Sequence, residues 1–154
     1  MKPNYLVIPL VVFLTAFAGS LITSGGLEAW YQTINLPPWT PSGPIIGAAW
    51  TIIFILSAIS ALIVWNKFPR GEQFKRIICT FIANAFLNVL WSYLFFGKHL
   101  VSWAVLGSAF LFFSVALLVT LIRPNSKLAA MLLYPYAIWV LFATYLTFTV
   151  WTLN

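Results

Sequence analysis

The chain contains no aspartate, and its only acidic residues are Glu28 and Glu72. General acid–base catalysis needs a titratable pair within reach of one substrate, and two glutamates 44 positions apart in loop-like sequence supply no such dyad. Histidine and cysteine occur once each, as His99 and Cys79. A histidine-rich or multi-cysteine metal centre, a Ser-His-Asp triad and an internal disulfide are therefore excluded. A lone cysteine with apolar neighbours reads as a packing residue. Charge of either sign is scarce, at 6% of residues against 62% hydrophobic, which is too apolar for a water-soluble domain. The net charge of +6 does not indicate nucleic acid, because the basic residues separate long apolar runs and mark loops.

What is present is five uncharged stretches long enough, at about 20 residues, to cross a bilayer. They run approximately over 5–24, 44–65, 77–96, 100–122 and 128–152. Alternating strand periodicity is absent, and backbone groups in lipid must pair within their own segment, so the expected fold is a single all-α membrane domain of five transmembrane helices spanning 1–154. The first run has a rival reading as a signal peptide, from Lys2, a short apolar core and Ala16-Phe17-Ala18-Gly19. Against it, apolar residues continue through Leu21 and Ile22. Lys2, Lys67, Arg70, Lys75, Arg76, Arg123 and Lys127 fall on one side of a five-span chain and Lys98 alone on the other. The positive-inside rule then predicts a cytoplasmic N-terminus.

The connection over 27–43 is long and holds Trp30, Tyr31, Pro37, Pro38, Trp39 and Pro41. Long loops with residues this costly to expose are usually functional. Trp30 and Trp39 read either as a lid or as part of an interfacial aromatic belt, and Trp65, Trp103 and Trp151 suit the belt. Trp50 and Trp91 lie about 9 and 8 Å inside their helix ends at 1.5 Å per residue, and Trp139 is near mid-helix. A buried indole N–H wants a partner that lipid does not offer, so these three should point inward.

Phe81, Asn84, Asn88, Trp91 and Phe95 share one face of the third span, with both amides near the midplane. Amides at that depth bond to neighbouring helices or to a ligand. Trp139, Ala143, Thr147 and Trp151 recur every four residues, leaving a small-residue notch between large ones, and Trp50, Phe54, Ser57 and Ala61 form a similar stripe. Thr15, Gly19 and Thr23 leave room for close helix approach. No carboxylate or basic residue lies within a span, which argues against ion-coupled pumping. The chemistry that remains is recognition of a flat, largely apolar ligand by tryptophan faces.

Trp30-Tyr31, Leu36-Pro37-Pro38-Trp39-Thr40-Pro41 and Trp50 resemble the opening signature of the translocator protein family. This family is also called TspO/MBR, tryptophan-rich sensory protein or peripheral-type benzodiazepine receptor. Asn84 to Trp91, Phe95 to His99, and Leu133 to Trp139 with Phe142-Ala143-Thr144, Trp151 and Asn154 are similar to its later segments. The resemblance, closest to bacterial-type members, implies a homodimer in the cell membrane and a ligand pocket inside each five-helix bundle, closed by the first loop as a lid. It implies porphyrins (protoporphyrin IX, haem) and isoquinoline or benzodiazepine-type drugs as ligands, with no required cofactor.

Carried over by position, Trp50, Phe54, Asn84, Asn88, Trp91, Phe95, Trp139 and Ala143 line the pocket, and Trp30, Tyr31, Pro37, Trp39 and Pro41 form the lid. Ser42 stands where the family usually has a second proline, Thr147 where it commonly has asparagine, and no basic residue follows Lys127 to complete its cholesterol motif. The leading functional expectation is a porphyrin-binding receptor or sensor. Two others are light- and oxygen-dependent porphyrin breakdown, for which Trp50 and Trp139 would be the catalytic pair, and passive tetrapyrrole transport.

Overall fold

The computed structural model describes residues 3–154, so Lys2 lies outside the described residues. The elements are α1 (Asn4–Glu28), α2 (Gly43–Lys67), α3 (Glu72–Ser92) continued by a π-helical turn (Tyr93–Gly97), α4 (Val101–Ile122), α5 (Lys127–Met131) and α6 (Tyr134–Leu153). Counting α3 with its π-turn and α5 with α6, five helical segments are long and apolar enough to cross a membrane. The protein is an integral, multi-pass membrane protein.

Four boundaries depart from the hydropathy reading, each for a physical reason. Helix α1 runs through Gly25-Gly26 to Glu28, because a Cβ on Gly26 would sit 2.6 Å from the Phe96 carbonyl oxygen. Glycine is kept there for close approach rather than to stop the helix. Helix α3 starts at Glu72, five residues before the apolar run, because a solvated first turn carries no hydropathy signal. Its far end winds into the π-turn, which shifts the face presented by Phe95 and Phe96. The fifth span is broken at Leu132-Leu133. Pro135 has no N–H to give to Met131, and as a first-turn residue it opens α6 instead. The short α5 is capped by Ser126, whose Oγ accepts from the Ala129 N–H at 3.2 Å.

The helices close into a ring: α1 lies between α2 and α3, α3 packs along α4, α4 along α6, and α2 meets α5 and, more thinly, α6. One end of the ring is aliphatic and carries most of the basic residues. There Val64, Ile77, Leu118, Ile122 and Leu133 are fully buried, and Ser60 donates to the Ala129 carbonyl at 2.8 Å. Asn4 donates to Asn66 Oδ1 at 3.3 Å, tying α1 to α2 at this end. Arg70 lies over Trp65 and Phe74 at 4.6 and 4.1 Å from the ring centroids.

At the other end the segment between α1 and α2 packs against the π-turn and α6 through Trp30, Tyr31 and Trp39, with Pro37 buried. Helix α1 is the least buried of the five spans. Its buried residues are Asn4, Gly19 and Gly26, while Leu6, Val7, Leu10, Phe13, Leu14, Phe17 and Leu21 are exposed.

Candidate functional site

The aromatic residues of the lid end form two connected groups. In the first, Trp50 of α2 lies 6.4 Å from Trp91 of α3 and meets Tyr136 of α6 edge-on at 6.1 Å. Trp91 stacks on Phe95 at 5.6 Å, Phe95 takes the edge of Trp30 at 5.3 Å, and Trp30 stacks on the His99 imidazole at 4.3 Å. Tyr31 joins through Phe95 and Phe96 at 6.3 and 5.7 Å. The π-turn makes this assembly: it buries Phe95 to 4% exposure within one turn of Trp91 and brings Phe96 against Gly26. His99 adopts φ of 58°, the left-handed conformation, in the tight connection before α4. In the second group Trp139 packs on Phe142 at 5.4 Å, and Trp39 of the lid rests on Phe142 and Tyr145 at 5.9 and 5.4 Å.

The structure thus brings Trp50, Phe54, Trp91, Phe95, Trp30 and Tyr31 into one contiguous set, with Phe54 at 5.8 Å from Trp50. Trp139, half-buried Ala143 and Trp39 belong with the other group, on α6. Pro41 is half-buried at the lid's exit. The rings lie in mutual contact, and two open recesses of about 370 and 360 Å³ lie elsewhere. One is on the outer face of α1 and α3 around Ala18 and Phe86, the other at the rim beside Trp30, His99 and Trp151.

The two amides of α3 form an interhelical network. Asn88 Nδ2 donates to the Tyr136 hydroxyl at 3.0 Å, that hydroxyl donates to Asn84 Oδ1 at 3.0 Å, and Asn84 Nδ2 donates to Ser114 Oγ at 2.8 Å. Three helices, α3, α4 and α6, are joined through groups that lipid could not satisfy. Tyr136 and Ser114 escaped the sequence reading, although Tyr136 sits one turn before Trp139 on the same face. Asn154 stands in the sequence only as part of the family-like closing segment, and nothing there foretells its pairing with Asn35 of the segment between α1 and α2.

Against this satisfied network, among the described residues, stand three buried polar atoms without a partner: Ser57 Oγ on α2, Trp91 Nε1 on α3 and Trp139 Nε1 on α6. A buried donor left unpaired costs about 1–3 kcal/mol. All three residues belong to stripes expected to face inward. At the rim, burial of the Tyr31 phenol in the lid raises its pKa above the ordinary 10.0.

The sequence model of the TspO/MBR family matches residues 7–152. Among similar proteins, Tryptophan-rich protein TspO of Archaeoglobus fulgidus is 36% identical over 94% of this chain and 93% of its own length. Tryptophan-rich protein TspO of Bacillus cereus is 34% identical over 82% of each chain. The Translocator protein of Homo sapiens is 29% identical over 92% of this chain and 84% of its own.

Proposed function

The chain belongs to the TspO/MBR family, and on that premise we propose that it is a membrane receptor or sensor for porphyrins, taking protoporphyrin IX or a haem-like tetrapyrrole between its helices beneath the lid. Isoquinoline and benzodiazepine-type compounds, which are flat, apolar and carry few acceptors, would compete for the same place. The observation that carries this reading is the pair of buried indole N–H groups, Trp91 on α3 and Trp139 on α6, that have no acceptor in the ligand-free bundle. A ligand with aromatic faces and hydrogen-bond acceptors removes both penalties at once, which neither acyl chains nor neighbouring side chains do. The rings of Trp50 and Phe95 supply its stacking surfaces, and the amide network holds α3, α4 and α6 in place while they part. A second copy in the membrane, as a homodimer, is part of the same proposal.

Titration of the purified protein with protoporphyrin IX should saturate at about one per chain. Trp91→Phe combined with Trp139→Phe keeps an aromatic six-membered ring at each position and deletes both donors, together with the five-membered ring that carries each of them. Affinity should fall at least about tenfold, the equivalent of one modest hydrogen bond. Non-saturable uptake, or an unchanged affinity in the double variant, would sink the assignment.

The unbroken aromatic path from Trp50 through Trp91, Phe95 and Trp30 to exposed His99 favours light- and oxygen-dependent porphyrin breakdown as the second reading. In it the bound, excited porphyrin is the reactive species and the protein positions it. Faster loss of porphyrin absorbance than in empty detergent micelles under the same light tests it.

A further inference from the structure

The lid, residues 29–42, is attached to the bundle in two ways. Trp30 and Tyr31 rest on the π-turn, and Trp39 rests on Phe142 and Tyr145. Ring-on-ring contacts are weakly directional and tolerate sliding. Directional attachment is concentrated at one point. Among the described residues, the hydrogen bonds that tie the lid to an element not adjacent in the chain all join Asn35 to Leu153 and Asn154.

There the Asn154 carboxamide is used on every side. Its Oδ1 accepts from the Asn35 backbone N–H at 2.9 Å, and its Nδ2 donates to the Asn35 carbonyl at 3.0 Å and to the Val150 carbonyl at 2.8 Å. The Asn35 side chain adds a bond to the Leu153 carbonyl at 3.3 Å. Pairing the N–H and C=O of one residue with a single side chain is what a neighbouring β-strand would do, and it requires a group with both donor and acceptor. The third bond, to Val150, holds the carboxamide against a carbonyl left open by the end of α6.

We propose that Asn154 is the positioning residue that latches the lid shut, so that its pairing with Asn35 sets how often ligand can pass beneath. The ligand consequence rests on the porphyrin-binding reading, whereas the latch itself does not. Both residues are exposed, and the latch borders the 360 Å³ recess lined by Trp30, Ile34, His99 and Trp151. Water therefore competes for these bonds, and the latch is weak enough to open without unfolding the bundle. In the closed state Asn154 pairs with the lid rather than with the tryptophans, so the latch acts on rates and leaves affinity almost alone.

Asn154→Ala should raise the association and dissociation rates of protoporphyrin IX together, by about tenfold for two lost exposed bonds, with the equilibrium constant within about threefold. Asn154→Asp, which sets an acceptor-only carboxylate against two carbonyls, should do at least as much. Asn35→Ala keeps the paired backbone groups and loses only the bond to Leu153, so its rates should stay near those of the parent. Joining Asn35→Cys to Asn154→Cys with a short bis-maleimide, each thiol adding across one maleimide double bond, in a Cys79→Ser background, should slow both rates below the parent.

In ligand-free protein, Asn154→Ala should speed amide exchange at Tyr31, Thr33 and Thr40, whose N–H groups bond to Gly26, Trp30 and Pro37. Faster exchange confined to Asn35, or rates unmoved by Asn154→Ala, overturns the latch. So does weaker binding with association unchanged, which would make Asn154 a ligand contact. If protoporphyrin IX fails to bind the parent protein at all, the functional proposal falls, and the exchange experiment alone decides the latch.

Discussion

The two ends of this bundle are built to different rules. At the basic end, Val64, Ile77, Leu118, Ile122 and Leu133 are completely buried and Ser60 and Asn4 have partners. Toward the end beside the 29–42 segment the large side chains are tryptophans and phenylalanines, several only half-buried, and the Trp91 indole lacks an acceptor, as does that of Trp139 where this region borders the aliphatic cluster. Water gives no drive for helices to associate inside a bilayer, so close packing and hydrogen bonds must do it. The aliphatic end supplies the packing. The contrast teaches that the lid end can carry unsatisfied donors and displaceable rings because its geometry is held from elsewhere, by the amide network and the opposite core.

Perturbations at each end should separate stability from binding. The largest effect is expected from Ile77→Ala, which opens a void in the fully buried aliphatic core. It should cost about 3 kcal/mol, read as a lower midpoint of thermal unfolding in detergent, with the porphyrin affinity of the folded fraction unchanged. Gly26→Ala acts at the other end. Its Cβ would meet the backbone of Phe96, which cannot swing aside, so about 2 kcal/mol of strain is expected. Unlike the core variant, it should displace the π-turn and change binding as well as stability.

Tyr136→Phe tests the link between the ends. It leaves Asn84 Oδ1 and Asn88 Nδ2 without their shared hydroxyl, for about 1–2 kcal/mol of lost stability. If it weakens binding no more than it weakens the fold, the network is purely architectural. The smallest stability change is expected from the Trp91→Phe and Trp139→Phe pair, where relief of two unpaired donors offsets the packing lost with the five-membered rings. Its unfolding midpoint should shift little while affinity falls, the reverse of Ile77→Ala.

Much of this was legible in sequence. Five apolar runs gave the five spans because lipid leaves a chain no other way to pair its backbone. The inward-facing stripes were readable from helical spacing, and the two indoles without acceptors lie on them. The breaks were not. A π-turn at 93–97 and an interruption at 132–133 leave hydropathy unaltered, since they redirect side chains without changing their character. The close approach at Gly26 was hidden as well, because only the position of Phe96, 70 residues away, makes a side chain there impossible to fit. Tyr136 was hidden by its neighbour Trp139, and Asn35 with Asn154 by a separation of 119 positions.

Helix α1 buries only two glycines and one asparagine, with half-buried side chains such as Ile8, Val12 and Ile22 beside them, and most of its large apolar side chains are exposed. Its tilt is therefore set by bilayer thickness more directly than that of any helix locked by side chains. At Gly26 that tilt presses on Phe96 and hence on the floor of the lid. Porphyrin exchange should accordingly differ between nanodiscs of short-chain and long-chain phosphatidylcholine, and identical rates in both would show that α1 rides free of the site.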